Sequence, residues 1–253
     1  MGTGRGWPPI PQGKPFDWEE AQSVPIDECR EELVPASLVP ERLLPHPVHF
    51  LNGLGGAIAE CYVRRRVLSL LLEAARLLPS GLRLVLLDGW RPPSLQSLLF
   101  NRYCAELRET MPDKDGGYIS RMASRFVAAH STDPGRPSPH VRGGAVDITI
   151  VDKNGLLLDM GSVFDETTDR SETVYYEKKV LSGGATSEKT LIVLENRRIL
   201  YKAMAGAGFT NFPDEWWHYD FGNQNWAFMR GEKTAFYGVC EPLFRWNSNR
   251  RMQ

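Results

Sequence analysis

The feature that most constrains this chain is the stretch Ser138–Ile150, which reads SPHVRGGAVDITI. From Ala145 to Val151 the side chains alternate. Val146, Ile148 and Ile150 point one way, and Ala145, Asp147 and Thr149 point the other. Successive residues of a strand face opposite sides of a sheet, so the segment predicts a strand with one apolar face. Gly143 and Gly144 stand just before it and permit a tight backbone turn. That turn lets His140 come back toward the face that carries Asp147. Imidazole nitrogen and carboxylate oxygen both suit a metal such as zinc.

The rest of the chain supplies elements to build around this strand. Tyr62 to Leu78 carries apolar residues at Val63, Val67, Leu70, Leu71, Ala74, Leu77 and Leu78, the spacing of a helix with one buried face. Pro79-Ser80-Gly81 stops it, and Leu82 to Leu87 predicts a short strand. Ser94 is placed to cap a following helix that carries Leu95, Leu98 and Leu99. Loop compositions over 111–139 surround a short helix near 119–129, and Thr190 to Ala207 predicts a second long helix. Glu215 to Phe221 is aromatic-rich and strand-like. Helices and strands mix without a regular βαβ rhythm. The expectation is α+β: a single domain with a central antiparallel sheet flanked by helices. Residues 1–50 are rich in proline and glycine and poor in periodicity, which predicts an irregular arm laid over a domain formed by 51–253.

Charge narrows the function classes. Thirty basic and 31 acidic residues give a formal net charge of −1, without the basic surplus that a nucleic-acid partner or an anionic membrane surface would call for. The longest apolar run, Val67 to Leu78, contains Glu73 and Arg76 and falls far short of the ~20 residues of a membrane span. The first twenty residues show no signal-peptide core, so the expectation is a soluble, cytoplasmic protein. Four scattered cysteines without a CxxC pair predict buried thiols, with no role for Cys240. Oligomeric state is not legible in these features.

Five histidines limit the possible metal sites. His46 and His49 fall in the proline-rich LPHPVHF with no acidic residue nearby in sequence. His140 has Asp147. His218 ends Glu215-Trp216-Trp217-His218, which offers a third ligand and a carboxylate beside it. A catalytic zinc needs three protein ligands, an open position and a base. His140, Asp147, His218 and Glu215 fill that list. Each segment alone is a weak signal, and none is the HExxH helix of many zinc proteases. In a regular strand Glu215 and His218 would face opposite ways, so the segment requires a bend, a bulge or a helical turn. Arg91, in LLDGWRPPS, is open to two readings: a partner for a surface carboxylate, or a donor aimed into a cleft at an anionic oxygen.

Taken together, Ser138-x-His140-x-x-Gly143-x-Ala145-x-Asp147, Glu215-Trp216-Trp217-His218 and Asp88-Gly89-Trp90-Arg91-Pro92 resemble the D-alanyl-D-alanine dipeptidases, the zinc enzymes of vancomycin-resistance type. The order of the three segments along the chain also fits. Residues 158–165 (LDMGSVFD), 196–209 (NRRILYKAMAGAGF) and 218–227 (HYDFGNQNWA) are similar to the dipeptidase branch in particular, so the likeness covers roughly 60–240. The resemblance implies a fold shared with D,D-carboxypeptidases and the Hedgehog signalling domain. It implies one zinc per chain, held by His140, Asp147 and His218. Glu215 would be the base that activates the attacking water and then protonates the leaving amine. Arg91 would stabilise the oxyanion, Asp165 would bind the free α-ammonium of a dipeptide, and Ser138 would line the substrate pocket. The partner so implied is a small dipeptide. The alternatives are a D,D-carboxypeptidase acting on longer peptidoglycan stems and a non-catalytic zinc-containing binding module. Retention of both Glu215 and Arg91 counts against the latter.

Overall fold

The computed structural model describes residues 6–129, 131–183 and 186–243. The first fifty residues depart from the expected irregular arm. They form α1 (Trp18–Ser23), β1 (Leu33–Pro35), β2 (Leu43–Pro45) and the start of α2 (Val48–Leu51). Asp17 caps α1 by accepting the Glu20 N–H. The next two elements divide the segment that its spacing made a single helix. Tyr62–Arg64 is β3, paired antiparallel with β1, and α3 runs over Arg65–Leu77.

β4 (Arg83–Asp88) leads into α4 (Pro93–Thr110). Pro92 is the N-cap and Pro93 the first helical residue, where a missing N–H costs nothing. Ser94 therefore sits inside the helix, and no side chain caps it. α5 is Gly116–Ala123, capped by Asp115, and β5 is Ala145–Val151. Then come α6 (Tyr175–Leu181), α7 (Glu188–Gly206, capped by Ser187), β6 (Thr210–Asn211), β7 (His218–Asp220) and α8 (Gln224–Arg230).

The five-stranded sheet runs β2-β4-β5-β7-β6. β4, β5, β7 and β6 pair antiparallel, as expected; β2 lies parallel to β4 at the edge. The sheet thus takes a strand from before residue 50, so the boundary drawn there does not separate an arm from a domain. Val146, Ile148 and Ile150 of β5 are fully buried in one core with Val67, Leu71 and Ala74 of α3 and Leu200 and Met204 of α7. Burying one such large side chain is worth roughly 1.5–3 kcal/mol. All seven residues of β5 are buried, so its polar face is covered too.

Two further contacts knit the ends of the described chain together. Residues 25–29 run beside 235–236, with the Asp27 N–H on the Ala235 carbonyl at 2.8 Å and the Ala235 N–H on the Pro25 carbonyl at 2.9 Å. Arg64, fully buried, donates to the carbonyls of Glu31, Arg142 and Gly238 and to both carboxylate oxygens of Glu28. All four cysteines are free thiols; Cys61 and Cys104 are buried as expected, Cys240 is half-buried and Cys29 is exposed. Among the described residues, no helix is long and apolar enough to cross a membrane.

Candidate metal centre and active site

Sheet register assembles the site. On β5, Asp147 stands opposite His218 of β7 on one side and Asp88 of β4 on the other. The β4–β5 register slips between Leu86 and Asp88. That irregularity brings Asp88, instead of Leu87, level with Asp147. Directly opposed residues share a sheet face, so three polar side chains form one row across it.

His140 reaches this row from a turn. It begins a short 3-10 segment, His140–Arg142, that ends at Gly143 in the left-handed region (φ 70°). A Cβ at Gly143 would collide with Leu33, and one at Gly144 with the Phe221 carbonyl. The two glycines thus serve both the turn and the close approach of neighbouring strands.

Each histidine is oriented by its second nitrogen. His140 Nδ1 donates to the Gly89 carbonyl at 2.8 Å, which leaves Nε2 facing the site. His218 Nε2 faces Asp220 Oδ2 at 3.2 Å, which leaves Nδ1 facing the site. His140 Nε2 and His218 Nδ1 are 3.3 Å apart, and Asp147 oxygens lie 3.5 and 3.1 Å from them respectively. Atoms held ~2.0–2.1 Å from a tetrahedral ion stand about 3.3 Å from one another, so the spacing fits zinc. Two imidazoles and one carboxylate also leave the fourth position open, the pattern of a catalytic site.

Electrostatics favour a cation here. Burial first, and then Arg91, push His140 down to about 4, so it is a neutral ligand at pH 7. Burial would lower His218 as well, but Asp220 and Asp147 outweigh it and hold it well above the usual histidine range. A field that favours a proton at that nitrogen favours a metal ion too. Asp220 itself accepts from Asn223 and Asn225. We expect Asp220→Asn to weaken zinc affinity by ~10–100-fold, the usual cost of losing a carboxylate behind a ligating histidine. Competition with a chelator measures it, and unchanged affinity would show that Asp220 does not orient His218.

Glu215 meets the requirement for a bend. The strand starts only at His218, and 215–217 form a turn in which the His218 N–H donates to the Glu215 carbonyl at 3.3 Å. Asn211 Nδ2 donates to the carbonyls of both Glu215 and His218 at 3.0 Å. Both side chains therefore reach one centre, with Glu215 Oε2 3.8 Å from His218 Nδ1. Trp216 is tied by its indole N–H to Ser162, and Trp217 packs on Phe164. Glu215 is 9% exposed, and burial is the main force raising its carboxyl to about 8, with His218 and Arg91 acting in the opposite direction.

Arg91 is buried and lines the cavity. Its Nε donates to Asp88 Oδ2 at 2.8 Å and its Nη2 is 3.5 Å from Asp147 Oδ2. Burial penalises the Asp88 carboxylate, but Arg91 and His49 more than compensate and hold it well below the usual range.

A cavity of about 290 Å³ opens over the row, lined by His140, Asp147, His218, Glu215, Arg91 and Asp165 among others. Asp165 adopts a left-handed backbone (φ 61°), which aspartate tolerates better than most residues. It keeps an exposed surface at the cavity mouth, yet surrounding protein raises its carboxyl to about 6, with His49 pulling it down and Asp147 pushing it up. Ser138 is buried, and its hydroxyl has no hydrogen-bond partner among the described residues. Its neighbour Pro139 lines the cavity, and Ser138 itself is not among the lining residues, so the structure does not bring its side chain to the pocket as expected.

Three residues of the site went unread in the sequence. Asp220 carried a usable signal, since it follows His218 by two on the same strand face. His49 has no acidic residue near it in sequence, but it is buried 3.4 Å from Asp88 and lines the cavity. Only the parallel pairing of β2 with β4 brings it there. Gln96 is the third, and it offered no local signal.

The chain is similar in sequence to known proteins over most of its length. Over 237 residues the chain is 28% identical to the D-alanyl-D-alanine dipeptidase of Synechocystis, a match that spans 87% of this chain and 96% of that protein. It is 30% identical to the Escherichia coli D-alanyl-D-alanine dipeptidase over 67% of this chain and 72% of that one. Among solved structures it overlays loosely on VanYB in complex with D-alanine-D-alanine, at 17% identity and a TM-score of 0.39 over 68% of this chain and 80% of that one. The model of peptidase family M15, D-Ala-D-Ala dipeptidase, matches residues 56–234, a span that includes Arg91, His140, Asp147, Glu215 and His218. The chain belongs to that family.

Proposed function

We propose that this protein hydrolyses free dipeptides of D-alanyl-D-alanine type, with zinc held by His140, Asp147 and His218. The observation that carries the reading is the convergence of three ligand side chains, a buried carboxylate and a buried guanidinium on one cavity. Zinc supplies Lewis acidity there and makes water ionisable near neutral pH. Glu215 takes the proton of the attacking water and delivers it to the leaving amine. Its burial fits both halves of that task, because a raised pKa makes a carboxylate a better base and a competent acid afterwards. Arg91, anchored on its Asp88 side, turns the remaining donors of its guanidinium toward the oxygen that gains charge. A single donor so placed contributes roughly 3–4 kcal/mol in comparable deletions. Asp165 receives the substrate ammonium at the mouth.

The test is a panel of LL, LD, DL and DD dipeptides, each with and without N-acetylation, assayed on zinc-loaded protein. DD dipeptides with a free amine should be cleaved fastest. If N-acetylated D-Ala-D-Ala, or a tripeptide ending in it, is cleaved as fast as the free dipeptide, the dipeptide reading fails and a carboxypeptidase takes its place. Asp165→Asn should lower kcat/KM for the free dipeptide by at least ~10–100-fold, the lower range of a broken charge pair because the residue is partly solvated. It should also narrow the gap between free and acetylated substrates. An unchanged gap would remove Asp165 from ammonium binding.

A further inference from the structure

We propose that Gln96 is a positioning residue that fixes the Arg91 guanidinium against the wall of the cavity. The inference rests on the reading of Arg91 as the donor to the oxyanion. Two carboxylates, Asp88 and Asp147, lie beside the guanidinium on the sheet side. Attraction to them alone would draw it down onto the sheet, away from a substrate above. Gln96, 1% exposed in the first turn of α4, provides a third anchor from another direction. Its Oε1 accepts from Arg91 Nη1 at 2.9 Å, and its Nε2 donates to the Ala128 carbonyl at 2.6 Å. Arg91 can only donate and a carbonyl can only accept, so the two partners fix which way the amide points.

An amide is the side chain that can serve both neighbours at once. Methionine of similar length serves neither. Glutamate can accept from Arg91 but, ionised, cannot donate to Ala128. Ala128 belongs to the wall formed by Phe126, Val127 and Ala128, all of which line the cavity. Through one residue, the place of the charged donor is thus coupled to the surface on which a substrate rests. Gln96 also lines the cavity beside Arg91. A catalytic group displaced by about 1 Å can cost 10²-fold in rate, so an anchor of this kind acts on turnover through the guanidinium it holds.

Steady-state kinetics on D-Ala-D-Ala test the proposal, with Gln96→Met, Gln96→Glu, Arg91→Met and the double variant Gln96→Met/Arg91→Met. Rates are normalised to the zinc-loaded fraction, so that lost folding does not count as lost catalysis, and thermal melting is recorded for each protein. Gln96→Met should lower kcat by about 10–100-fold with KM changed much less. Gln96→Glu should recover most of kcat because the acceptor for Arg91 returns, while KM rises as the wall loses its tie. In the Arg91→Met background, Gln96→Met should cost nothing further in kcat. If Gln96→Met keeps kcat within about twofold, or raises KM alone, the positioning role is wrong. The same holds if its effect persists in full without Arg91. Normal turnover in Arg91→Met would instead overturn the underlying reading of Arg91, which separates the two failures.

Discussion

Glutamine in place of Glu215 is expected to lower kcat by at least ~10²-fold, and by as much as 10⁴-fold, while metal content and fold stay intact. The amide matches the carboxylate in shape and keeps a carbonyl oxygen in the same turn, but it cannot take a proton. The backbone bonds that set the turn, from His218 and Asn211, do not involve the side chain that is changed. Nor does the change remove a ligand, since the donors sit on His140, Asp147 and His218. Single-turnover measurements at saturating substrate, beside zinc analysis and circular dichroism, separate lost proton transfer from lost metal. Near-normal turnover would mean that another group moves the proton, and Asp165 at the mouth would be the first to examine.

The largest effect on stability is expected from Arg64→Met. Methionine keeps much of the apolar stem, so the change isolates the guanidinium. That group satisfies three carbonyls and a carboxylate drawn from three parts of the chain, and it stacks over the Tyr237 ring at 4.8 Å. Glu28 is partly solvated, so the ion pair with it is screened; the stranded carbonyls carry more of the loss. Removing one partner from a buried network of this kind costs about 3–5 kcal/mol. At roughly 2–4 °C per kcal/mol for a chain of this size, Tm should fall by about 10 °C. Chemical denaturation gives the free energy directly, and a loss below about 1 kcal/mol would mean that water replaces the guanidinium without strain.

How far the sequence reached depends on whether each signal was local. β5 was legible because seven alternating residues fix a face. The two glycines before it were legible because few other residues can make such a turn. His140, Asp147 and His218 followed from the scarcity of histidines and, for their grouping, from a family likeness. Glu215 was legible as a residue, and its geometry could be stated as a requirement for a bend at Trp216–Trp217. β2 was not legible: three residues ending in proline show no period, and their pairing is with residues forty positions away. His49 went unread for the same reason, since its carboxylate partner is brought close only by that pairing. Gln96 looked like any polar residue in an amphipathic helix, because neither of its partners lies on the helix. The helix expected from residue 62 failed at its start because a three-residue strand has too few positions to show its own period, and β1 supplied the hydrogen bonds.

The pairing of residues 25–29 with 235–236 has a consequence for how the protein comes into being. A ribosome releases the first of these segments long before the second, and domains generally fold as they emerge. Here the early segment must wait for about 200 further residues before its partner exists. β2 waits as well, for β4, and Arg64 waits for the carbonyl of Gly238. Contacts so distant in sequence make folding slow, because loop closure is costly until the last strand arrives. The metal ligands mature on the same schedule: His140 and Asp147 emerge some seventy residues ahead of His218. The nascent chain therefore carries two of the three ligands until His218 emerges, and tight zinc capture follows that point.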